Sequence, residues 1–491
     1  MSGRHKTGIA REQAMLLPPS VEDYVAADNP VRVIDAYVEG LDLARLGFRH
    51  VAGTLGAGQP PYDPRQLLKL YLYGYLMRVR TSRLLEREAR RNLELIWLLQ
   101  GLAPNYKSIA DFRKDNAAAL KATNCDFVLM CKELDLYAGQ LIAIDGSFFR
   151  GNVAKHSIYT KERLAKALAR VEQHIDDYLK ALDQADAQVS ADSVSPADIK
   201  ATLEALKERQ KKLRDKLTSL DETGQTQYAE VDSDARLLSK SGQSVAGYNV
   251  QIAVDDKHKL LVCCELTQDG NDTQQLEPMA SKAKEVLGVD PLTVVADAGY
   301  YNQIQLKACE EAGMTVYVPA SENKGPVDTE KRYGRDQFSF DSERNAYCCP
   351  QGQWLSPCGS QQQGDKRVLR YASARSVCAT CAVRERCLSA KTARREIYRW
   401  EHEAIMDTHR SRMQKEGAMR MRQRACLVEH PFGTLKRWCG WLHFLVRGKA
   451  KASGELGLLM LCYNFRRLMT IFGIAGMSQM LKMRASTVMA A

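Results

Sequence analysis

Two short apolar runs that each carry an aspartate constrain the fold of this chain most. They are Gln140–Phe149 (QLIAIDGSFF), which contains Asp145, and Leu292–Asp297 (LTVVAD). Apolar runs of this length next to glycine or small residues are typical of buried strands. A carboxylate at the end of a buried strand is costly unless it is paired or binds a metal. Each aspartate alone is equally typical of a turn cap, but two of them on neighbouring strands favour a metal site.

Further strand and helix signals surround these runs in a regular order. Strand-like segments occupy Gly247–Asp255 (GYNVQIAVD), Lys259–Thr267 (KLLVCCELT) and Thr315–Ala320 (TVYVPA), and the first two are predicted to form a hairpin. The helical segments QQLEPMASKAKEVLG and NQIQLKACEEAG flank LTVVAD. The order strand, insertion, two strands, helix, strand, helix, strand is that of an RNase H-like fold. The chain is therefore predicted to be an α/β protein with a mixed sheet.

The charge of the chain indicates a polyanionic partner. Its 491 residues carry a formal net charge of +11, with basic clusters at Arg78–Arg91, Arg410–Arg424 and Lys436–Lys451. This excess favours nucleic acid, although each cluster alone is equally typical of a solvated helix face. No apolar stretch is long and uninterrupted enough to read as a membrane span, and the N-terminus lacks the apolar region of a secretory signal. The sequence thus predicts a cytoplasmic protein without a membrane partner.

The first part of the chain, residues 1–125, is predicted to be a helical DNA-binding domain. Asn29 and Pro30 open an amphipathic helix, and Ser108 is the expected N-cap of a later one. Several short helices with a basic one among them are typical of helix-turn-helix domains. A plain helical bundle has the same spacing and remains the alternative.

Two insertions are predicted in the α/β core, whose first part covers residues 138–320. Residues 157–225 hold two charged segments whose apolar spacing indicates an antiparallel helical hairpin or short coiled coil. This hairpin is a candidate for dimerisation, for DNA contact or for a spacer. Residues 321–396, rich in Gly, Pro, Gln and Cys, are predicted to be an irregular second insertion. Residues 397–475 are predicted to be a helical part of the core, and residues 476–491 a tail.

The last helical region is expected to supply a third carboxylate. Two divalent cations about 4 Å apart assist phosphodiester cleavage by activating the nucleophile and neutralising the leaving oxygen, and such cations take oxygen ligands. Glu429 is the candidate because Lys436 and Arg422 lie seven residues away on either side, on one helix face. The helix is expected to end at Pro431. The competing acids are Glu401, Glu403 and Glu416, and an ordinary salt-bridged surface glutamate is the alternative.

Several segments in a fixed order carry a family resemblance over nearly the whole chain. They are LLPPSVEDYV, YGYLMRVRTSRLLE and SIADFRKDN, then AIDGSFFRGN, DARLL, GYNVQIAVD and VVADAGYYN, and finally VEHPFGTLKRW and RGKAKASGELGLLMLCYNFRRL. Each segment is ordinary alone, but their order is specific. The chain resembles the insertion-sequence DDE transposases whose last carboxylate lies in a Tyr-Arg-Glu-Lys motif.

The resemblance implies an RNase H-like core that binds two Mg²⁺ or Mn²⁺ ions, cleaves DNA at element ends and transfers the 3′-hydroxyl to target DNA. By motif position Asp145, Asp297 and Glu429 carry over as metal ligands. Lys436 carries over as a phosphate contact and Arg424 as the motif arginine, whereas Met421 stands where the family has tyrosine. The candidate DNA contacts are therefore Lys436, Arg424, Arg422, Arg437, Arg80, Arg83 and Arg447.

The expected partners are double-stranded transposon ends and target DNA, bound by a homodimer in the bacterial nucleoid. Two other functions remain open. One is a metal-dependent nuclease without strand transfer, and the other is a transposase-derived DNA-binding protein without catalysis. The presence of all three acids argues against the second.

Six of the fourteen cysteines fall between Cys348 and Cys387. A cytosolic chain does not keep such thiols as disulfides, and a CxxC pair is a common half of a tetrahedral zinc site. Cys349, Cys378, Cys381 and Cys387 are the predicted structural zinc ligands, with Cys358 as the main competitor. The alternative is a set of reduced, buried thiols. Cys263, Cys264 and Cys462 lie in apolar segments and are predicted to be core residues.

Overall fold

The computed structural model describes residues 20–53, 60–187, 196–240, 242–320, 332–438 and 443–490. These residues form two compact units. The first unit contains the described residues of Met1–Gly139, Asp145–Asn271 and Leu427–Ala491. The second contains those of Gln140–Ile144 and Asp272–Cys426.

Six helices open the first unit. They are α1 (Pro30–Glu39), α2 (Pro64–Leu76), α3 (Ser82–Arg91), α4 (Leu93–Leu98), α5 (Tyr106–Asp115) and α6 (Ala117–Glu133). The side chain of Asn29 caps α1 by accepting from Val31 N, which confirms the predicted start. The predicted cap of α5 was wrong. Asn105, three residues earlier, accepts from the backbone N–H of Ser108, so Ser108 lies inside the first turn.

A six-stranded mixed sheet forms the α/β core. The strands of this part of the chain are β1 (Leu141–Arg150), β2 (Ile158–Thr160), β3 (Gln227–Ala229), β4 (Arg236–Lys240), β5 (Gln243–Asp255), β6 (Leu261–Thr267), β7 (Leu292–Val295) and β8 (Met314–Tyr317). The strand order is β4-β5-β1-β7-β8, and β6 also pairs with β5. β1, β7 and β8 are parallel, whereas β5 and β6 are antiparallel. The order β6-β5-β1-β7-β8 is that of an RNase H-like core, so the predicted fold class is confirmed.

A helical hairpin interrupts the first unit between β2 and β3. It consists of α7 (Lys161–Ala187) and α8 (Pro196–Thr223). The two helices share an apolar core of their own, formed by Leu164, Val171, Ile175, Leu213 and Leu220. The predicted helical hairpin is therefore confirmed, while residues 188–195, between its two helices, lie outside the described residues.

The second unit surrounds β7 and β8 with two helices, α9 (Leu276–Leu287) and α10 (Gln303–Glu311), both at predicted positions. The Cys-rich insertion is present, but the prediction that it is irregular was wrong. Its strands form an antiparallel sheet, in the order β13-β12-β11-β10-β9, with one short helix. These elements are β9 (Ser339–Asp341), β10 (Ala346–Cys348), β11 (Trp354–Gln363), β12 (Lys366–Ala372), α11 (Arg375–Ala379) and β13 (Glu396–Trp400). Polar, mostly exposed β11 lacks the apolar alternation that marks a strand in the sequence.

Helix α12 (Glu403–Gly433) continues through Pro431, where the sequence predicted its end. A wider π-type turn, Thr434–Trp438, follows. The proline removes only the backbone hydrogen bond to Leu427. Leu427, Val428 and Leu435 are buried around it, and this packing holds the chain helical against the local preference.

Helix α13 (Lys449–Ala490) is the longest helix among the described elements and is kinked at Gly473 (φ 69°). Its segment Lys449–Arg484 is long and apolar enough to cross a membrane by length and composition, but half of its most apolar window is buried. Leu456, Leu459 and Phe465 are fully buried where α13 packs on α6 and β6. The core helix of a globular unit has the same composition.

Gly454 lets α13 approach α6 closely. A Cβ atom at Gly454 would lie 2.4 Å from the carbonyl oxygen and 2.5 Å from the Cα of Ala117. Because backbone cannot move aside locally, we expect Gly454→Ala to lower the free energy of unfolding by about 2–3 kcal/mol. Gly433→Ala is the control, since its Cβ would meet open space on a helix. Urea unfolding measures both, and an unchanged midpoint for Gly454→Ala would contradict the packing described.

His409 in α12 makes the second unit sensitive to acid. Burial, with Arg412 and Arg410 nearby, lowers the pKa of His409 to about 4, and its Nε2 accepts from Val318 N (3.4 Å). Because the pKa of His409 is lower in the folded protein than in the unfolded chain, His409 contributes unfolding free energy above pH 6.5. That contribution is lost as the pH falls towards 4. We expect about 2 kcal/mol of unfolding free energy to disappear between pH 7 and 5 through this group. His409→Gln should flatten that loss, and exposed His174→Gln should not; equal pH slopes for both variants would refute the assignment.

Candidate active site

The structure places one of the two predicted aspartates at a strand end and the other inside a strand. β7 ends at Val295, and Asp297 follows it by two residues. β1 runs from Leu141 to Arg150, so the prediction that Asp145 ends its strand was wrong. The apolar run in the sequence ends at Ile144, but the backbone stays extended through the half-buried residues 145–148. The two strands are parallel, and Ala143 pairs with Val295.

Asp145 is half-buried and accepts a hydrogen bond from the backbone N–H of Gly146 (2.9 Å). Lys436 lies on the same side of the first unit, since its Nζ donates to Ser147 Oγ and lies 5.0 Å from the centre of the Phe149 ring. Burial lowers the pKa of Lys436, the Asp145 carboxylate opposes that shift, and Lys240 adds to it. The predicted lysine is therefore electrostatically coupled to the first predicted acid.

Asp297 is held by a backbone N–H and an arginine. Its side chain accepts from Gly299 N (2.9 Å) and caps the turn Ala298–Tyr300. Arg424 Nη2 lies 3.5 Å from Asp297 Oδ2, with the two side chains 18% and 32% exposed. The structure thus brings together the second predicted acid and the predicted motif arginine.

A further acid, Asp272, lies close to Asp297 but was missed in the sequence. A Cβ atom built on Gly299 would lie 3.0 Å from Asp297 Oδ1 and 3.7 Å from Asp272 Oδ2. Asp272 is buried, although it lies in a turn before α9. A polar turn has no hydrophobic periodicity. The one signal of Asp272 in the sequence is therefore the acid-rich segment Asp-Gly-Asn-Asp, which Asp272 ends.

Glu429 is exposed in the last turns of α12 and belongs to the first unit. The competing acids are engaged elsewhere. Glu403 is fully buried between Arg335 and Arg410, and Glu416 accepts from Tyr317 Oη (2.9 Å). Glu401 lies 3.7 Å from a ring nitrogen of His402.

Carboxylate oxygens are the ligands that Mg²⁺ and Mn²⁺ take in proteins, so the chemistry of Asp145, Asp297 and Glu429 fits the implied ions. In the part of the chain that the structure describes, however, no three His, Cys, Asp or Glu side chains are grouped so that they could hold a metal ion. The three predicted ligands are not brought together as one such group.

The predicted DNA contacts differ in how accessible they are. Arg83, Arg422 and Arg447 are exposed, and the side chain of Arg437 lies outside the described residues. Arg80 is only 11% exposed: its Nη2 donates to His443 O (2.7 Å) and lies 3.8 Å from Glu455 Oε1. Arg80 is thus part of an internal network.

Glu455 is the centre of that network, and the sequence analysis missed it. This fully buried carboxylate accepts from Tyr75 Oη (2.8 Å) and from the backbone N–H of Leu445 (2.8 Å). Arg113 Nη1 lies 3.5 Å away. A neighbour of Leu445, Phe444, donates its N–H to Arg150 O at the end of β1. A lone acid in the apolar run ELGLLMLCYNF was its only sequence signal.

Four cysteines of the second unit line one cavity of about 350 Å³, and they are the four predicted ligands Cys349, Cys378, Cys381 and Cys387. Cys358 is exposed on β11 and does not line it. Burial raises the pKa of the Cys387 thiol, and Arg395 opposes that shift. Among the described residues these thiols are not grouped so that they could hold a zinc ion. Cys263, Cys264 and Cys462 are buried, as predicted for core residues.

Comparison with solved structures gives two similarities. A piggyBac transposase synaptic complex with hairpin DNA matches with a TM-score of 0.34 and 10% identity over 93% of this chain and 79% of that one. A Mos1 transposase paired-end complex with the left transposon end matches with a TM-score of 0.16 and 11% identity over 55% and 62%. Both scores are too low to support an inference. No curated protein sequence matches the chain significantly.

Two family models match the sequence. A transposase domain (DUF772) covers residues 19–115, which include helices α1 to α5. The transposase DDE domain covers residues 213–465, about half of the chain, and includes Asp297, Arg424, Glu429 and Lys436. Asp145 precedes the matched region. The chain belongs to the DDE transposase family.

Proposed function

We propose that this protein binds transposon ends, cleaves their phosphodiester bonds with two divalent metal ions, and joins the 3′-hydroxyl ends to target DNA by cut-and-paste transposition. The observation that carries the proposal is the match of a transposase DDE domain to residues 213–465, in a chain with one aspartate in β1 and another just after β7. Strands are rigid platforms for groups that must be held within a fraction of an ångström.

Asp145, Asp297 and Glu429 are the residues that would hold the Mg²⁺ or Mn²⁺ ions. When bound, such ions lower the pKa of the attacking water or hydroxyl and neutralise the leaving oxygen. The protein's own contribution begins with orientation. The N–H groups of Gly146 and Gly299 hold one oxygen of each aspartate in place, and Arg424 lies beside the second oxygen of Asp297.

Basic side chains beside the acids are proposed to bind the DNA backbone. Lys436 and Arg424 each lie near one aspartate, where they offset its charge and can donate to a phosphate. The exposed residues Arg422, Arg447 and Arg83 would add contacts to phosphates, which fix position without reading sequence.

Double-stranded DNA is the proposed partner, and a homodimer is proposed because two element ends must be held in one complex. A DNA-acting enzyme of this type would work at the bacterial nucleoid. The net charge of +11 supports the DNA partner.

The reaction is tested by incubating the full chain with labelled end DNA, a target plasmid and Mg²⁺. Joined end–target products support the proposal. Nicks or double-strand breaks without joined products would identify a nuclease instead, and retention of end DNA without any cleavage would identify a non-catalytic DNA-binding protein.

A further inference from the structure

A cavity in the second unit gathers four of the six cysteines that lie between β10 and β13. Cys349 follows β10, Cys378 lies in α11, and Cys381 and Cys387 follow α11. The other two are turned away from the cavity. Cys358 is exposed on β11, and the Cys348 thiol donates to the carbonyl of Cys349 (3.6 Å). Of the six thiols, four half-buried ones from two separate segments thus line the cavity.

The turn that carries Cys349 has the hydrogen bonds of a metal-binding knuckle. Cys349 N donates to Gln353 O (2.8 Å) and Gly352 N donates to Cys349 O (2.8 Å). Gln353 N donates to the Cys349 sulfur (3.4 Å). Gly352 has φ 73°, which favours glycine there. An N–H aimed at sulfur stabilises the thiolate form, the form that binds metals.

The second segment places arginine side chains against the backbone carbonyl groups of its cysteines. Arg384 Nη1 donates to Cys378 O (3.3 Å), and Arg395 Nη1 donates to Cys387 O (3.2 Å). The Cys378 sulfur lies 2.9 Å from Ser373 Oγ. Guanidinium groups near thiols favour the charged thiolate.

The surrounding sheet has little apolar core to hold these segments together. Its buried residues are Phe338, Tyr347, Leu355, Tyr371 and Ile397, and both Cys349 and Cys387 pack against them. Small regions of this kind are commonly stabilised by a metal rather than by burial.

We propose that Cys349, Cys378, Cys381 and Cys387 bind one structural zinc ion as thiolates. Each thiol gives its proton to solvent on binding, and the four sulfurs, which are not grouped for a metal among the described residues, are drawn onto the ion. The ion fastens the knuckle after β10 to the Cys378–Cys387 segment. Four thiolates leave no open position, so the site stabilises the fold and takes no part in chemistry.

Metal analysis of the purified full chain, prepared with zinc and without strong chelators, tests the proposal. We expect about one zinc per chain, and loss of that zinc in Cys378→Ser and Cys381→Ser. Cys348→Ser and Cys358→Ser are matched controls that should keep it. Cobalt loaded into the wild-type chain should give the absorption of tetrahedral thiolate coordination, a readout that does not depend on any variant folding.

Four results would overturn the assignment. They are wild-type protein without zinc, iron in place of zinc, equal zinc in Cys381→Ser and wild type, or a cobalt spectrum without thiolate bands. None of these results depends on whether the protein moves DNA. The zinc site can therefore be refuted while the proposed transposase function stands, and the reverse.

Discussion

Asparagine at Asp145 or at Asp297 is expected to reduce strand cleavage at least about a thousandfold, because each change removes a proposed anionic metal ligand worth several kcal/mol in the transition state. The side chains stay the same size, and Gly146 N and Gly299 N retain an oxygen acceptor. Binding of end DNA should therefore persist. Cleavage is measured as single-turnover product formation, and binding is measured by gel shift at one fixed salt concentration.

The exposed residue Glu285 of α9 supplies the control, because Glu285→Gln removes one negative charge from the same unit as Asp297. It should cleave at the wild-type rate. Asp297→Asn also removes a negative charge that faces Arg424, so its gel shift should be equal to or tighter than that of the wild type. Cleavage by Asp145→Asn at the wild-type rate would remove Asp145 from the site.

The second large effect is expected for Glu429→Gln, which should lower cleavage by at least about a hundredfold through loss of the proposed third anionic ligand. Glu416→Gln is the informative comparison in the same helix. Glu416 already has Tyr317 and Arg420 as partners, so its loss should affect stability more than cleavage. Rates for both variants, normalised to folded protein, decide between the two acids. A larger cleavage defect in Glu416→Gln would move the third ligand to that residue.

The core of the fold could be predicted because its signals are local. β1, β5, β6, β7 and β8 are apolar runs bounded by turns, and α9 and α10 show helical spacing. Asp145 and Asp297 follow from the same runs, although Asp145 lies inside β1 and not at its end. Glu429 depended on motif position instead, since an exposed glutamate on a helix has no distinguishing pattern of its own.

The features that were missed depend on contacts distant in sequence. Glu455 is a single acid in an apolar helix until Tyr75, 380 residues away, is seen to donate to it. The accessibility of Arg80 likewise depends on His443. Helix α12 passes Pro431 because distant packing outweighs local preference, and β11 pairs with β12 although its own sequence is mostly polar.

The paired strands at the base of the α7–α8 hairpin allow the hairpin to change in length. Thr160 of β2 pairs with Gln227 of β3, so the chain leaves the core and re-enters it at positions about 5 Å apart. The free energy of closing the segment between them grows only slowly with its length. Removal of matched turns from both helices would shorten the hairpin by about 1.5 Å for each residue taken from each helix, while the strand pairing at its base stays intact. The hairpin can therefore vary in length, and a module of another protein can be attached to it without disturbing the aspartate-bearing sheet.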